Sequence, residues 1–226
     1  MCIIDTLNSR PFYNQVVMHD VSIFTKMEAF ISQITPYIIF TPVGMTANTS
    51  LIIYPGGRVD PRSYAPAARN ISMAGFLVII TPMPLNLAVF APDKAKEVMA
   101  RYPAITKWVI GGHSLGGSMA AQFASQNPTM LTGLVLWASY PAGNISTMPV
   151  KVLSISGSRD GLSTPDKIAA SRANLPPSTK FVEIQGGNHG QFGWYGDQFG
   201  DNAATITRVE QQAIIVNETL NFLTNL

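Results

Sequence analysis

The sequence predicts an α/β fold, a mostly parallel central sheet with helices on both faces. Three observations predict it. Short apolar, β-branched runs recur along the chain with helix-like segments between them, as in repeated strand–helix units. The runs are nearly continuous in hydrophobic residues rather than alternating, as in strands buried on both faces. Of the 226 residues 46% are hydrophobic and only 12% charged, about half the usual charged share.

The expected inner strands cover 50–55, 76–81, 107–111, 133–138, 151–156 and 180–185. Upstream, 15–25 and 33–42 read as outer strands, a candidate hairpin at the sheet edge. Asp60-Pro61 supplies an N-cap and a proline at the first helical position, and Gly75 follows the expected helix end. Pro92-Asp93 opens a helix that closes near Arg101, before Pro103. A small-residue helix runs through Gly117-Ser118-Met119-Ala120-Ala121-Gln122-Phe123-Ala124. Thr164-Pro165-Asp166 opens another that runs towards Asn174. Over 203–223, apolar residues at 206, 209, 213, 216, 220 and 223 form a helical stripe for packing on the sheet.

This length makes one domain the expectation, with 1–33 as an edge segment and 34–226 as the body. Fifteen basic residues face 13 acidic ones without a basic run, so nucleic-acid binding has no support. The single cysteine, Cys2, excludes an internal disulfide and any multi-cysteine metal site. The N-terminus carries Asp5 and lacks the basic start of a signal peptide. No apolar stretch reaches the ~18 residues of a membrane span. The expected setting is soluble and cytoplasmic; an exported protein with its leader removed reads the same way.

The most informative segment is Gly112-His113-Ser114-Leu115-Gly116, between the run 107–111 and the small-residue helix. G-x-S-x-G arises by chance about once in fifteen chains of this length, so the pattern alone is moderate evidence. Between a strand and a helix it means a nucleophile elbow, a sharp turn that projects a serine hydroxyl above the sheet. A serine hydroxyl is a weak nucleophile at neutral pH and needs an oriented base. Of three histidines, His113 neighbours Ser114 on a turn whose adjacent side chains point apart, and His19 lies in the edge region. His189 sits in Gly186-Gly187-Asn188-His189-Gly190, directly after the last expected strand, where ligands and catalytic groups collect in open α/β sheets. It is the candidate base; the bland alternative is a histidine bonding a loop carbonyl.

Behind such an elbow the chain order is Ser, Asp/Glu, His. Only Asp160, Asp166 and Glu183 lie between 114 and 189. Glu183 is inside a strand, and Asp166 is in a first helical turn, where it offsets the dipole. Asp160, in Gly157-Ser158-Arg159-Asp160-Gly161, is the candidate orienting acid, against the alternative of an Asx-turn residue. An oxyanion hole needs two backbone N–H groups. Leu115 is one candidate. Gly57 is the other, with Arg58 as the alternative, in the loop after 50–55.

Together, Tyr54-Pro55-Gly56-Gly57-Arg58-Val59-Asp60, Gly112-His113-Ser114-Leu115-Gly116-Gly117, Gly157-x-x-Asp160-Gly161 and Gly187-Asn188-His189 resemble a serine α/β-hydrolase. The resemblance covers about 34–226, and the compact form is similar to the dienelactone-hydrolase-like branch. It implies an α/β-hydrolase fold without a cap domain, since only about ten residues separate the strands where such relatives insert one. Two departures stand out. Dienelactone hydrolases proper carry cysteine where this chain has Ser114, and many relatives have His-Gly where it has Pro55-Gly56.

Two apolar loops beside the serine, 82–90 and 191–196, offer Met83, Leu85, Phe192 and Trp194 as candidate substrate-binding residues, or simply as packing over the sheet end. Asp197, Asp201 and Asn202 could ligate a cation through oxygen, or form a polar lead-in to the last helix. The expected activity is cleavage of a small-molecule carboxylic ester through an acyl-enzyme, with no cofactor and no metal required. The same residues would serve a thioesterase or an acyltransferase. A ligand-binding protein on a hydrolase scaffold is the non-enzymatic rival. Substrate, stereochemistry and oligomeric state are not legible.

Overall fold

The computed structural model describes Phe30–Ser32 and residues 37–226. The described residues form an eight-stranded sheet in the order β1-β2-β4-β3-β5-β6-β7-β8. The strands are β1 (Phe30–Ser32), β2 (Ile38–Thr41), β3 (Thr49–Tyr54), β4 (Leu77–Ile80), β5 (Lys107–His113), β6 (Gly133–Trp137), β7 (Lys151–Gly157) and β8 (Lys180–Ile184). From β4 across to β8 every neighbouring pair is parallel. At the far edge β2 runs antiparallel to β4 and β1 antiparallel to β2. The α-helices are α1 (Ala65–Met73), α2 (Lys94–Arg101), α3 (Leu115–Gln126), α4 (Pro165–Ser171) and α5 (Arg208–Thr224).

The six apolar runs become β3 to β8 with ends shifted by one or two residues. The outer antiparallel pair is β1 with β2, and β2 falls inside the expected 33–42. The expected strand at 15–25, together with Cys2 and His19, lies outside the described residues.

Successive side chains of a strand point to opposite faces, so an uninterrupted apolar run feeds two cores. Ile52 and Tyr54 of β3 join Ile110 of β5 and Val98 of α2 and Phe123 of α3 on one face. Leu51 and Ile53 join Val109, Trp137, Ile71 of α1 and Ile215 of α5 on the other. The strand β8 departs from this pattern. As the edge strand it is open on one side, and its burial is partial, with Lys180 and Glu183 exposed.

Two helical segments start at side-chain caps, whereas Asp93 and Thr164 precede theirs without a cap hydrogen bond. The Asp60 carboxylate accepts the Arg62 N–H at 2.9 Å and opens a 3-10 turn, Pro61–Tyr64, that leads into α1. Gly75, at φ 103°, ends that segment. A capping box formed by Thr207 and Glu210 opens α5. The buried face of α5 matches the expected stripe only in part: Val209 is 65% exposed, whereas Gln211 and Thr219 are fully buried. Val216 and Leu223 of the stripe are buried and Ile206 and Leu220 pack beside them, but apolarity alone missed the rest of the face because its polar side chains have partners inside. Gln211 bonds a loop backbone, and Thr219 accepts the Trp137 indole N–H at 3.3 Å.

Residues 138–150, between β6 and β7, contain no helix, so no cap stands over the sheet there. Among the described residues no helix is long and apolar enough to cross a membrane.

Candidate active site

Ser114 follows β5 with φ 53° and ψ −125°, directly before α3. A non-glycine residue at positive φ costs about 1–3 kcal/mol and persists only where its surroundings over-determine it. Here they do. The Ser114 N–H donates to the Trp137 carbonyl at 3.0 Å, and its own carbonyl accepts from Ser118 N–H at 3.2 Å and Ser139 Oγ at 2.7 Å. The flanking glycines are demanded by contact. A Cβ at Gly116 would lie 2.2 Å from the Tyr54 carbonyl oxygen, and one at Gly112 would lie 2.6 Å from the same atom. The motif spacing therefore records how closely β5, the turn and β3 approach. Ser114 is partly exposed at the wall of an open cavity of about 280 Å³, lined also by Leu115, Ser118, Ser139, Tyr140, Leu162 and Ser163.

Asp160 and His189 follow β7 and β8, at the same carboxyl edge. Both are almost fully buried, and His189 Nδ1 donates to Asp160 Oδ2 at 2.8 Å. The other carboxylate oxygen, Oδ1, accepts from the N–H groups of Leu162 at 2.8 Å and Ser163 at 2.7 Å. A carboxylate that only accepts fixes the proton on Nδ1 and leaves Nε2 with its lone pair free. The structure thus brings the expected acid and base together.

His113 is also buried, its ring centroid 4.5 Å from that of His189. Burial holds its imidazole pKa well below the ordinary value, and the neighbouring His189 pushes it the same way. Tyr64 Oη accepts the Gly56 N–H at 2.9 Å and shares a hydrogen bond with His113 Nδ1, also at 2.9 Å. Burial raises the Tyr64 pKa well above the usual phenol value, which keeps the hydroxyl protonated. His113 is therefore a buried bridge between the loop after β3 and the His189 loop.

Of the two amides weighed in the loop after β3, Arg58 N–H is taken by the Asn86 carbonyl at 2.7 Å. Gly57 packs directly on Leu115: a Cβ there would lie 3.0 Å from Leu115 Cδ2. As the first residue of α3, Leu115 has an N–H without an intrahelical acceptor.

The four candidate substrate-binding residues are not among those lining the cavity beside Ser114. Met83 is in the core with Tyr54 and Ile79. Phe192 is wholly buried and stacks on His113 at 5.7 Å. Leu85 is 80% exposed, and Trp194 is half-buried under the Arg208 guanidinium. The lining residues Ser139, Tyr140, Leu162 and Ser163 stand just beyond β6 and β7. Their position at strand carboxyl ends was the available signal. Both oxygens of Asp201 accept backbone N–H groups, from Gly161 and Gly190. A larger cavity, about 330 Å³, lies between α4 and β8 and includes neither Ser114 nor His189.

A family model described as alpha/beta hydrolase family matches residues 50–213. The chain belongs to the alpha/beta hydrolase family. Solved hydrolases share the fold. A predicted CIB-like hydrolase from Thermoplasma acidophilum is 17% identical, with a TM-score of 0.62 over 89% of this chain and 99% of that one. Est1E from Butyrivibrio proteoclasticus, solved with ferulic acid bound, is 13% identical, with a TM-score of 0.64 over 84% of this chain and 95% of that one. No curated protein matches the chain.

Proposed function

We propose that this alpha/beta hydrolase is a serine esterase that cleaves small carboxylic esters through an acyl-enzyme. The observation that carries the reading is the buried 2.8 Å Asp160–His189 hydrogen bond at the sheet edge that also bears the strained Ser114. In this reading Ser114 Oγ attacks the ester carbonyl carbon while His189 Nε2 takes its proton. Asp160 holds the tautomer and stabilises the imidazolium without being protonated. The Leu115 and Gly57 amides receive the developing oxyanion, and the Arg58 amide, already bonded to Asn86, does not. His189 then protonates the departing alcohol. Water, deprotonated by His189 in turn, attacks the acyl carbon and releases the carboxylic acid.

Cavity size supports a small acyl group. About 280 Å³ falls just below the ~300–1,000 Å³ typical of ligand pockets. The ferulic acid in Est1E is a carboxylic acid, the class of product this reaction releases. The test is hydrolysis of p-nitrophenyl esters from acetyl to palmitoyl by wild type and Ser114→Ala. The expected result is activity peaking at short chains, with kcat about 10⁶-fold lower in the variant. Ester turnover undiminished in Ser114→Ala would refute the mechanism.

A further inference from the structure

Asp201 lies in the loop before α5, 40 residues from the glycine that follows Asp160 and 11 from the one that follows His189. Its two carboxylate oxygens accept from two different loops. Oδ1 takes the Gly161 N–H at 2.9 Å and Oδ2 takes the Gly190 N–H at 2.8 Å. Gly161 directly follows Asp160, and Gly190 directly follows His189. One carboxylate therefore spans the two loops whose side chains meet in the Asp160–His189 hydrogen bond. Oδ1 also accepts the Asn202 N–H at 2.9 Å, which fixes the carboxylate itself.

Packing and further bonds agree with this clamp. A Cβ at Gly161 would lie 2.6 Å from the Gly200 carbonyl oxygen and 2.9 Å from Asp201 Cα, so the Asp201 segment sits directly on the acid loop. Before His189, the fully buried Gln211 amide takes both backbone groups of Asn188, the N–H at 3.0 Å and the C=O at 2.8 Å. After it, the Gly190 carbonyl accepts from Arg208 at 2.7 Å. Asp201 is the member of this set that reaches the Asp160 loop as well.

We propose that Asp201 is a positioning residue for the Asp160–His189 pair, setting its separation by holding residues 161 and 190 on one carboxylate. The inference rests on the triad reading above. Hydrogen bonds from N–H to a carboxylate are roughly twice as strong as neutral ones, so the clamp is stiffer than an amide would make it. Asparagine has nearly the same shape but one acceptor oxygen, and its NH₂ would face one of the two N–H donors. One loop is then released.

The experiment compares wild type, Asp201→Asn and Asp201→Ser on p-nitrophenyl acetate, with rates expressed per competent site titrated by a fluorophosphonate, beside Ser114→Ala, which the probe cannot label and whose rate is expressed per mole of folded protein. Expressing kcat per titrated site removes any loss of folded protein from the comparison. The expected result for Asp201→Asn is a fall in kcat per site of about 10- to 100-fold, the scale of a ~1 Å misplacement. KM should stay within about twofold, because Asp201 does not line the cavity. An unchanged kcat per site, or a loss carried wholly by KM, overturns the proposal. So does an absence of competent sites in both Asp201 variants, which would assign the residue to folding alone. Failure of the triad reading shows up elsewhere, as undiminished turnover in Ser114→Ala.

Discussion

Ser114 and His189 stand at the same edge of the sheet, yet their backbones are held in different ways. Around Ser114 the restraint is mainly backbone against backbone, with the Ser139 hydroxyl added on the Ser114 carbonyl. Gly112 and Gly116 let β5, the turn and α3 approach the Tyr54 and Pro55 carbonyls within distances that no side chain tolerates. Around His189 the restraint is side chain to backbone. Gln211, Arg208 and Asp201 reach in from α5 and the loop before it and bond the peptide groups on either side. The first arrangement is written in five consecutive residues. Both need remote segments to fold together, since Ser139 bonds Ser114 across 25 residues and Gln211 bonds Asn188 across 23, but only the first is marked by a local motif. A site built this way has one member fixed by close backbone packing and one held by side chains of α5 and the loop before it.

Substitutions can break or sharpen that contrast. The largest effect is expected at the elbow. In Gly116→Ala the new Cβ meets backbone oxygen at 2.2 and 2.3 Å, which neither β3 nor α3 can relieve. Little or no folded protein is expected, a loss above about 4 kcal/mol, read by soluble yield and thermal unfolding. Gly57→Ala is its control. The contact there is the far end of the flexible Leu115 side chain at 3.0 Å, so the fold should persist with a loss under about 1 kcal/mol. Equal behaviour of the two variants would dissolve the distinction between backbone-packed and adjustable positions.

Next comes Asp160→Asn, which acts on the histidine side. Asparagine Oδ1 can still accept from Leu162 and Ser163, so the loop keeps its shape. The amide NH₂ would face His189 Nδ1 and favour the tautomer protonated on Nε2, which cannot act as base. The expected result is a thermal midpoint close to wild type and a kcat lower by about 10⁴-fold. A large drop in midpoint with turnover per titrated site preserved would mean that Asp160 serves the fold and not the chemistry.

The smallest effect belongs to His113, which joins the two regions. Its folded-state pKa is depressed by burial, whereas an unfolded histidine titrates near ~6.5. Below that pH the unfolded chain binds a proton that the folded chain refuses. The contribution to stability is therefore complete above pH ~6.5 and declines as pH falls, at up to about 1.4 kcal/mol per unit. In urea unfolding, wild type should lose about 1.5 kcal/mol more than His113→Gln between pH 6.5 and 5.0. Parallel pH dependences in the two proteins would show that His113 is charged, or accessible, in the folded state.

The sequence by itself determined the strands β3 to β8, the helical segments that follow Asp60, Asp93 and Thr164, of which only the first starts at a side-chain cap, and the elbow at Ser114. These features are local: an apolar run, a cap or a glycine-flanked turn carries its own physical cause within a few residues. Asp160 and His189 were legible by chain order and by position at strand ends, since the parallel sheet gathers such loops on one edge. Only the tertiary structure decided the rest. It showed that Asn86 occupies the Arg58 amide and that Phe192 packs under His113 instead of lining the cavity. It turned Gln211 inward, which the periodicity of apolar residues does not show, and it set Asp201 between two loops. Each of these depends on which backbone groups of remote segments come to lie within about 3 Å, the reach of a hydrogen bond. No run of neighbouring residues carries that information, because a polar side chain is as well satisfied by water as by a buried partner until the fold removes the water.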